Sequence, residues 1–202
     1  IEDNQKSLIR IVGVIVGLIA LVIGFQNFYL KPLEKEAQTD MYMAELYFQK
    51  DSFNLALNGD GQYLGFIDVV DEYSLTKVGK LANYYAGLCY LHLGEYENAI
   101  EYLSDFSSDN SILSTLALGC IGDSYMQLGD TDSALDSYED AIDNSDNEFT
   151  KPIYMLKQAM IHEENGNYDD ALDIYNDIKL NFKDSREAYG IERYISRAEN
   201  RL

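Results

Sequence analysis

Asp132, Asp136, Asp140 and Asp143 recur at i, i+4, i+8 and i+11 of DTDSALDSYEDAIDNSDNE, which places them on one face of a helix. Gathered carboxylates do acid–base chemistry only where burial lifts one of their pKa values. The opposite face here carries Ala134, Leu135, Tyr138 and Ala141, so that face takes the core and the acids form a solvated one. NGDG at 58–61 invites a calcium loop, but Ala56 stands where an acid is needed and Ile67 where a bidentate Glu is needed. It reads as a Gly- and Asn-rich turn on a long irregular loop, and such loops are common contact sites. His92 and His162 stand 70 residues apart, with no Ser, Cys or Asp arranged around both. Cys89 and Cys120 stand 31 apart with no C-x-x-C. Both fall on apolar helix faces and read as small buried thiols, a disulfide between neighbouring helices being the alternative. Phosphate loops, nucleotide fingerprints and nucleophile elbows are missing. The pattern is not that of an enzyme, and no metal, cofactor or small-molecule substrate is expected.

The elements that carry these residues are acidic and unevenly so. Net charge is −20 over 202 residues, and Leu81 to Thr150 holds fourteen Asp and Glu with no Lys or Arg. Nucleic-acid binding sets cations against phosphate, and this stretch has none to offer. The same count argues against a soluble domain lying flat on anionic lipid. It leaves solubility through self-repulsion, or attraction of basic partner segments, as the uses of the charge. With 47% hydrophobic residues, two prolines and abundant Leu, Ala, Tyr and Glu, the chain reads as all-α and folded.

SLIRIVGVIVGLIALVIGFQNFYLKP near the start is a different kind of segment. Ile11 to Phe25 contains no polar side chain, and Leu8 to Leu30 gives 23 residues, about 34 Å of helix and enough to span a bilayer. Arg10 and Lys31 bracket it, with Phe28 and Tyr29 at the interfacial position. No small-x-small site follows the apolar core, which favours a retained signal-anchor over a cleaved signal peptide. Lys6 and Arg10 precede the span while Lys31 and Lys35 follow it, so flanking charge alone does not set the orientation. The acidic bulk of the chain favours the N-terminus inside and the rest outside. Gly13 and Gly17 form a small-xxx-small pair suited to close helix packing within the membrane.

The remainder repeats. Gly87-x-x-Tyr90 is followed by Ala99, Leu103 and Phe106; Gly122-x-x-Tyr125 by Ala134, Tyr138 and Ala141; Ala159-x-x-His162 by Ala171, Tyr175 and Ile178. Turn glycines Gly94, Gly129 and Gly166 divide the copies and stand 35 and 37 residues apart. Each copy reads as helix, tight turn, helix, with the small residue allowing close approach and the Gly ending the first helix at positive φ. This resembles the tetratricopeptide repeat. The expected organisation is a tail and membrane helix over 1–32 and a degenerate first repeat over 33–77, broken by Gly59, Gly61 and Gly65. Three repeats over 78–183 and a capping helix over 184–202 complete a solenoid of three to four repeats. Asp184 and Glu187 are positioned to form a capping box for that last helix.

In the tetratricopeptide family the first helix of each repeat lines a peptide-binding groove. Carried over, the resemblance implies a groove of Leu81, Tyr84, Leu88, Leu91 and His92 in the first good copy. Leu116, Gly119, Asp123, Met126 and Gln127 follow in the second, and Ile153, Leu156, Met160, Glu163 and Glu164 in the third. Tyr84, Leu88, Leu91, Asp123, Met126, Leu156 and Met160 are the contacts expected to matter most. The Lys and Asn with which some members clamp a terminal carboxylate are missing from these positions. On the irregular loop Asn58, Asp60, Tyr63 and Phe66 are candidate contacts.

The order of a short tail, one membrane helix and terminal repeats, with NLALNGDGQYLGFIDVVDEY before LANYYAGLCYLHLGEYENAIEYL, resembles the YfgM-like family of the Bacteroidetes type. That resemblance implies an inner-membrane protein whose repeats face the periplasm beside the Sec translocon. It would act as an adaptor or holdase for secreted chains, with a membrane-anchored peptidyl-prolyl isomerase as partner. A structural scaffold tethering another envelope assembly through a fixed interface is the alternative.

Overall fold

The computed structural model describes residues 2–145 and 147–202, with side chains from Arg10 onward, and every regular element among them is helical. Lys6 and Leu8 lie outside the residues whose side chains are described. Helix α1 (Glu2–Phe25) passes through a π-turn at Gln26–Leu30 into α2 (Lys31–Phe48) without a break. Glu2–Phe48 is thus one continuous helix, and its stretch from Arg10 to Phe48 is 39 residues, about 58 Å long. Its apolar part packs on nothing, and Gly13 and Gly17 face open space. The turn is stitched by local contacts: Phe25 stacks on Tyr29, and Lys31 donates to Asn27 Oδ1 at 2.6 Å.

Helices α3 (Phe53–Asn58) and α4 (Phe66–Tyr73) complete an irregular first unit with α2. Three helix pairs follow: α5/α6 (Lys77–Leu93, Tyr96–Asp105), α7/α8 (Ser111–Leu128, Thr131–Asn144) and α9/α10 (Lys151–Glu164, Tyr168–Asn181). Helix α11 (Ile191–Glu199) closes the array. The expected all-helical repeat solenoid with an N-terminal apolar helix is what forms.

The repeat's small residues act as the sequence implies. A Cβ on Gly87 would stand 2.5 Å from the Leu103 side chain, and one on Gly122 2.6 Å from the Tyr138 ring. Ala99, Ala134 and Ala171 of the second helices are fully buried. Gly94, Gly129 and Gly166 sit at φ near +80°. Each closes a Schellman turn, as in Glu95 N to Tyr90 O at 2.9 Å with Gly94 N to Leu91 O at 3.2 Å. In the third copy His162 fills the aromatic slot with its Nδ1 buried and unbonded.

First helices run parallel across the array. Glu34 near the start of α2 accepts from Lys77 N at 2.8 Å and Val78 N at 3.2 Å, capping α5 from a neighbouring helix. At the other end Phe48 meets Tyr85 and His92 of α5. Lys77 pairs with Asp109 ahead of α7, and Arg197 of α11 meets Glu163 at the end of α9. The solenoid therefore has two edges. One collects the starts of α2, α5, α7, α9 and α11, and the other collects the glycine turns.

Two expectations need correction. The end helix starts at Ile191 rather than Asp184; residues 184–190 form turns in which Ser185 Oγ, not an Asp184–Glu187 box, accepts from Ala188 N at 3.1 Å. Gly190 at φ +86° then opens α11. The segment between α2 and α4 also holds a helical turn, α3, because Ala56 and Leu57 bury against the first unit.

Candidate peptide-binding groove

Three first helices, α5, α7 and α9, supply the residues that the repeat pattern points to. The structure brings Leu91, Asp123 and Met126 together with Tyr96, Gln127 and Lys157 around a hollow of about 430 Å³. Asp123 sits at its centre. It accepts from Tyr138 OH at 2.6 Å and from Lys157 Nζ. Burial, and then the bond from its hydroxyl to Asp123, push the Tyr138 phenol well above its ordinary value. Lys157 Nζ lies 5.6 Å from the Tyr138 ring centroid, within cation–π range. Lys157 was not among the groove residues implied by the resemblance, and its signal was a single Lys in the middle of α9, one position from Leu156 in the groove register. It gives the hollow an ion-paired floor, with Leu91 and Met126 as apolar contacts beside Tyr96 and Gln127.

Met160 lies in a second hollow of about 390 Å³ with Glu163, Glu164, Tyr168, Arg197 and Arg201. Glu163 accepts from Arg197 Nη2 at 2.7 Å and Tyr175 OH at 2.9 Å. Arg197 first, then Tyr175, hold its carboxyl below the ordinary carboxylate value against the opposing effect of desolvation. Leu88 is half-buried on the same side of α5. Tyr84 and Leu156 sit deeper: Tyr84 packs on Phe106 and the Leu103 cluster, and Leu156 on the core of α9–α11. Burial pushes the Tyr84 phenol up to about 12. Gly119 is no groove position, since a Cβ there would stand 1.9 Å from the Tyr154 ring of the next repeat.

The loop candidates divide. Phe66 is fully buried, stacked on Tyr85 at 5.2 Å, because it opens α4 against the first unit's core. It is a core residue and not a surface contact. Asp60 is held by Tyr47 OH at 2.6 Å and by Gln62 N and Tyr63 N, and these donors lower its pKa. Asn58 donates to Asn54 O, and Tyr63 stays exposed. His92, expected in the groove, is instead stacked flat on Phe53 at 4.3 Å. Cys89 and Cys120 are free thiols, and burial raises them to about 12 and about 11. No group of His, Cys, Asp and Glu among the described residues is arranged to hold a metal.

Comparison with protein-family models finds the tetratricopeptide repeat twice, over residues 81–110 and over residues 121–188. The first span covers α5 and α6, and the second runs from α7 to the turns before α11. Comparison with curated proteins finds no match. These two stretches match the tetratricopeptide repeat, a module that mediates protein–protein interaction, and the helical array that holds them is a solenoid of that type.

Proposed function

We propose that the protein is a membrane-anchored adaptor that presents its repeat groove to polypeptides at the periplasmic face of the inner membrane, ancillary to the Sec translocon. The observation that carries this is the junction. An unpartnered helix long and apolar enough to cross a membrane continues without a linker into a repeat domain with an open hollow. The export setting and a peptidyl-prolyl isomerase partner rest on the resemblance to YfgM-like proteins. Leu91 and Met126 offer adaptable apolar contacts that suit variable sequences, and Gln127 with the Asp123–Lys157 floor offers polar partners to an extended backbone.

Two measurements test this. Purification of the full chain from native membranes in mild detergent should recover Sec channel subunits with a folding factor. Recovery of a different envelope assembly would favour the fixed scaffold. That second reading has its own support in the 51–65 loop, whose fixed Asp60 turn makes a preformed patch. Leu88→Asp with Met126→Asp should then weaken crosslinking to emerging secreted chains, measured well below the melting temperature of the substituted protein, where its helical circular dichroism matches that of the unsubstituted chain. Unchanged crosslinking would sink the groove reading.

A further inference from the structure

We infer that the edge of the solenoid on which the membrane helix enters is itself a bilayer-contact surface, so that the repeats stand with this edge on the lipid headgroups. The inference rests on reading α1 as a membrane anchor.

Position comes first. Glu34, which caps α5, is three residues past Lys31 in the same unbroken helix, about 5 Å along its axis. The start of α5 is therefore pinned at headgroup level by the anchor's own helix. Because first helices run parallel, the starts of α7, α9 and α11 lie along the same edge, with the ends of α6, α8 and α10 between them.

Composition agrees. Of the large apolar side chains outside the apolar helix, Leu75 (63% exposed), Phe149 (73%), Leu180 (72%) and Tyr189 (92%) project from this edge. None has a partner in the solenoid's core clusters. Lys77, Lys80, Lys151, Lys183 and Arg186 stand among them, with long stems that reach headgroup phosphates while the apolar residues enter the interface. Hollows of about 450 and 740 Å³ open between these groups, the first flanked by Lys77, Lys80 and Phe106, the second by Phe149, Phe182 and Lys183.

Both edges carry acids. At the entry edge Asp105, Asp109, Asp143, Glu148, Asp184 and Glu187 stand among the cations, a mixed surface suited to zwitterionic headgroups. The glycine-turn edge holds Glu95, Asp130, Glu164 and Asp169, with Lys50 at one end and Arg197 and Arg201 of α11 at the other. Helix α5 is 17 residues long, which puts that acidic edge about 25 Å away, beyond two Debye lengths at physiological salt. The carboxylates of the glycine-turn edge are thus screened from a membrane at the entry edge, which leaves only the mixed charge of that edge facing the headgroups.

The chain contains no tryptophan, so single substitutions read each edge without background. Full-length Phe149→Trp, Tyr189→Trp and the far-edge Tyr168→Trp are reconstituted into phosphatidylcholine vesicles doped with phosphatidylcholine brominated near the headgroup end of its acyl chains. Phe25→Trp reports the anchor. The expected result is several-fold stronger quenching and a blue shift for Phe149→Trp and Tyr189→Trp relative to Tyr168→Trp. If Phe25→Trp is quenched while the two edge reporters match Tyr168→Trp, the contact surface is overturned and the anchor stands. If Phe25→Trp is itself unquenched, the anchor reading fails and this inference falls with it.

Discussion

The first unit and the regular repeats solve the same packing problem in opposite ways. Repeats α5–α10 bring helices together by removing atoms: Gly87 lies against Leu103, Gly122 against Tyr138, and buried alanines face them. The α2–α4 unit fills its space with rings. Phe48 meets Phe53, Phe66, Tyr85 and His92, and Phe66 stacks on Tyr85. Small-residue packing repeats because it asks the same of each neighbour, and so it can build a solenoid. The repeats carry isolated ring pairs, whereas the cluster of Phe48, Phe53, Phe66, Tyr85 and His92 is fitted to one junction. Here it fastens the membrane helix to the array, where a flexible linker would otherwise stand.

The sharpest way to break this contrast is Phe66→Ala. Removing a fully buried ring costs about 3–5 kcal/mol, and in a quasi-one-dimensional array the loss should stay local. Hydrogen exchange should show lost protection over 53–76 while α7–α10 keep theirs. Uniform loss across the chain would mean that the first unit and the repeats fold as one. Gly122→Ala tests the other side. Its Cβ would meet the Tyr138 ring, which Asp123 and Tyr154 hold in place. Overpacking of this kind costs about 1–3 kcal/mol, a fall of roughly 2–12 °C in Tm for a chain this size. An unchanged Tm would show that the interface has room to give.

This contrast also marks what could be read in the sequence. The repeats were legible because their demands recur: the Gly-x-x-Tyr spacing and the turn glycines fix helix, turn and partner face three times over. The membrane-type helix was legible from Ile11 to Phe25 alone. The first unit was not, since Phe66 looks the same in sequence whether it opens a loop or seals a core, and only the long-range pairing with Tyr85 decides. Glu34 capping α5 from 43 residues away has no local signature. The groove was half legible. Asp123 and Met126 follow from register, but Lys157 enters through an ion pair between two repeats, and Gly119 is claimed by Tyr154 from the next. The edge lysines were visible as residues, but their convergence depends on the parallel run of the first helices.

The clamp that ends the array gives a smaller effect with a defined pH sign. Glu163 is held below the ordinary carboxylate value of 4.5 by Arg197 and Tyr175. A carboxyl with a depressed folded pKa stabilises the native state above its unfolded value, and that stabilisation is lost as pH falls through the folded value. Docking of α11 should therefore be intact at neutral pH and should weaken below about pH 4. Glu163→Gln removes the charge at all pH values and should cost on the order of 1–2 kcal/mol at neutral pH. Its Tm should converge with that of the unsubstituted chain under acid. A difference that persists at low pH would mean that Glu163 acts through shape and not charge.

The smallest expected effect probes the loop. Asp60 ties Tyr47 of α2 to the 59–65 turn, with Gly59 and Gly61 at positive φ on either side of it. Asp60 is exposed, so Asp60→Ala should barely move Tm, because solvent replaces most of what the bonds supply. It removes the acceptor that orders Gln62 and Tyr63, however, and an unpinned glycine-rich turn samples extended backbone that proteases accept. Limited proteolysis should cut within 59–65 faster in Asp60→Ala than in the unsubstituted chain, with no new cuts at the Gly94, Gly129 or Gly166 turns. Those turns need no side-chain staple, because their Schellman bonds run between backbone atoms. Equal cutting at both kinds of turn would remove the distinction between a junction built from specific side chains and repeats built from backbone geometry.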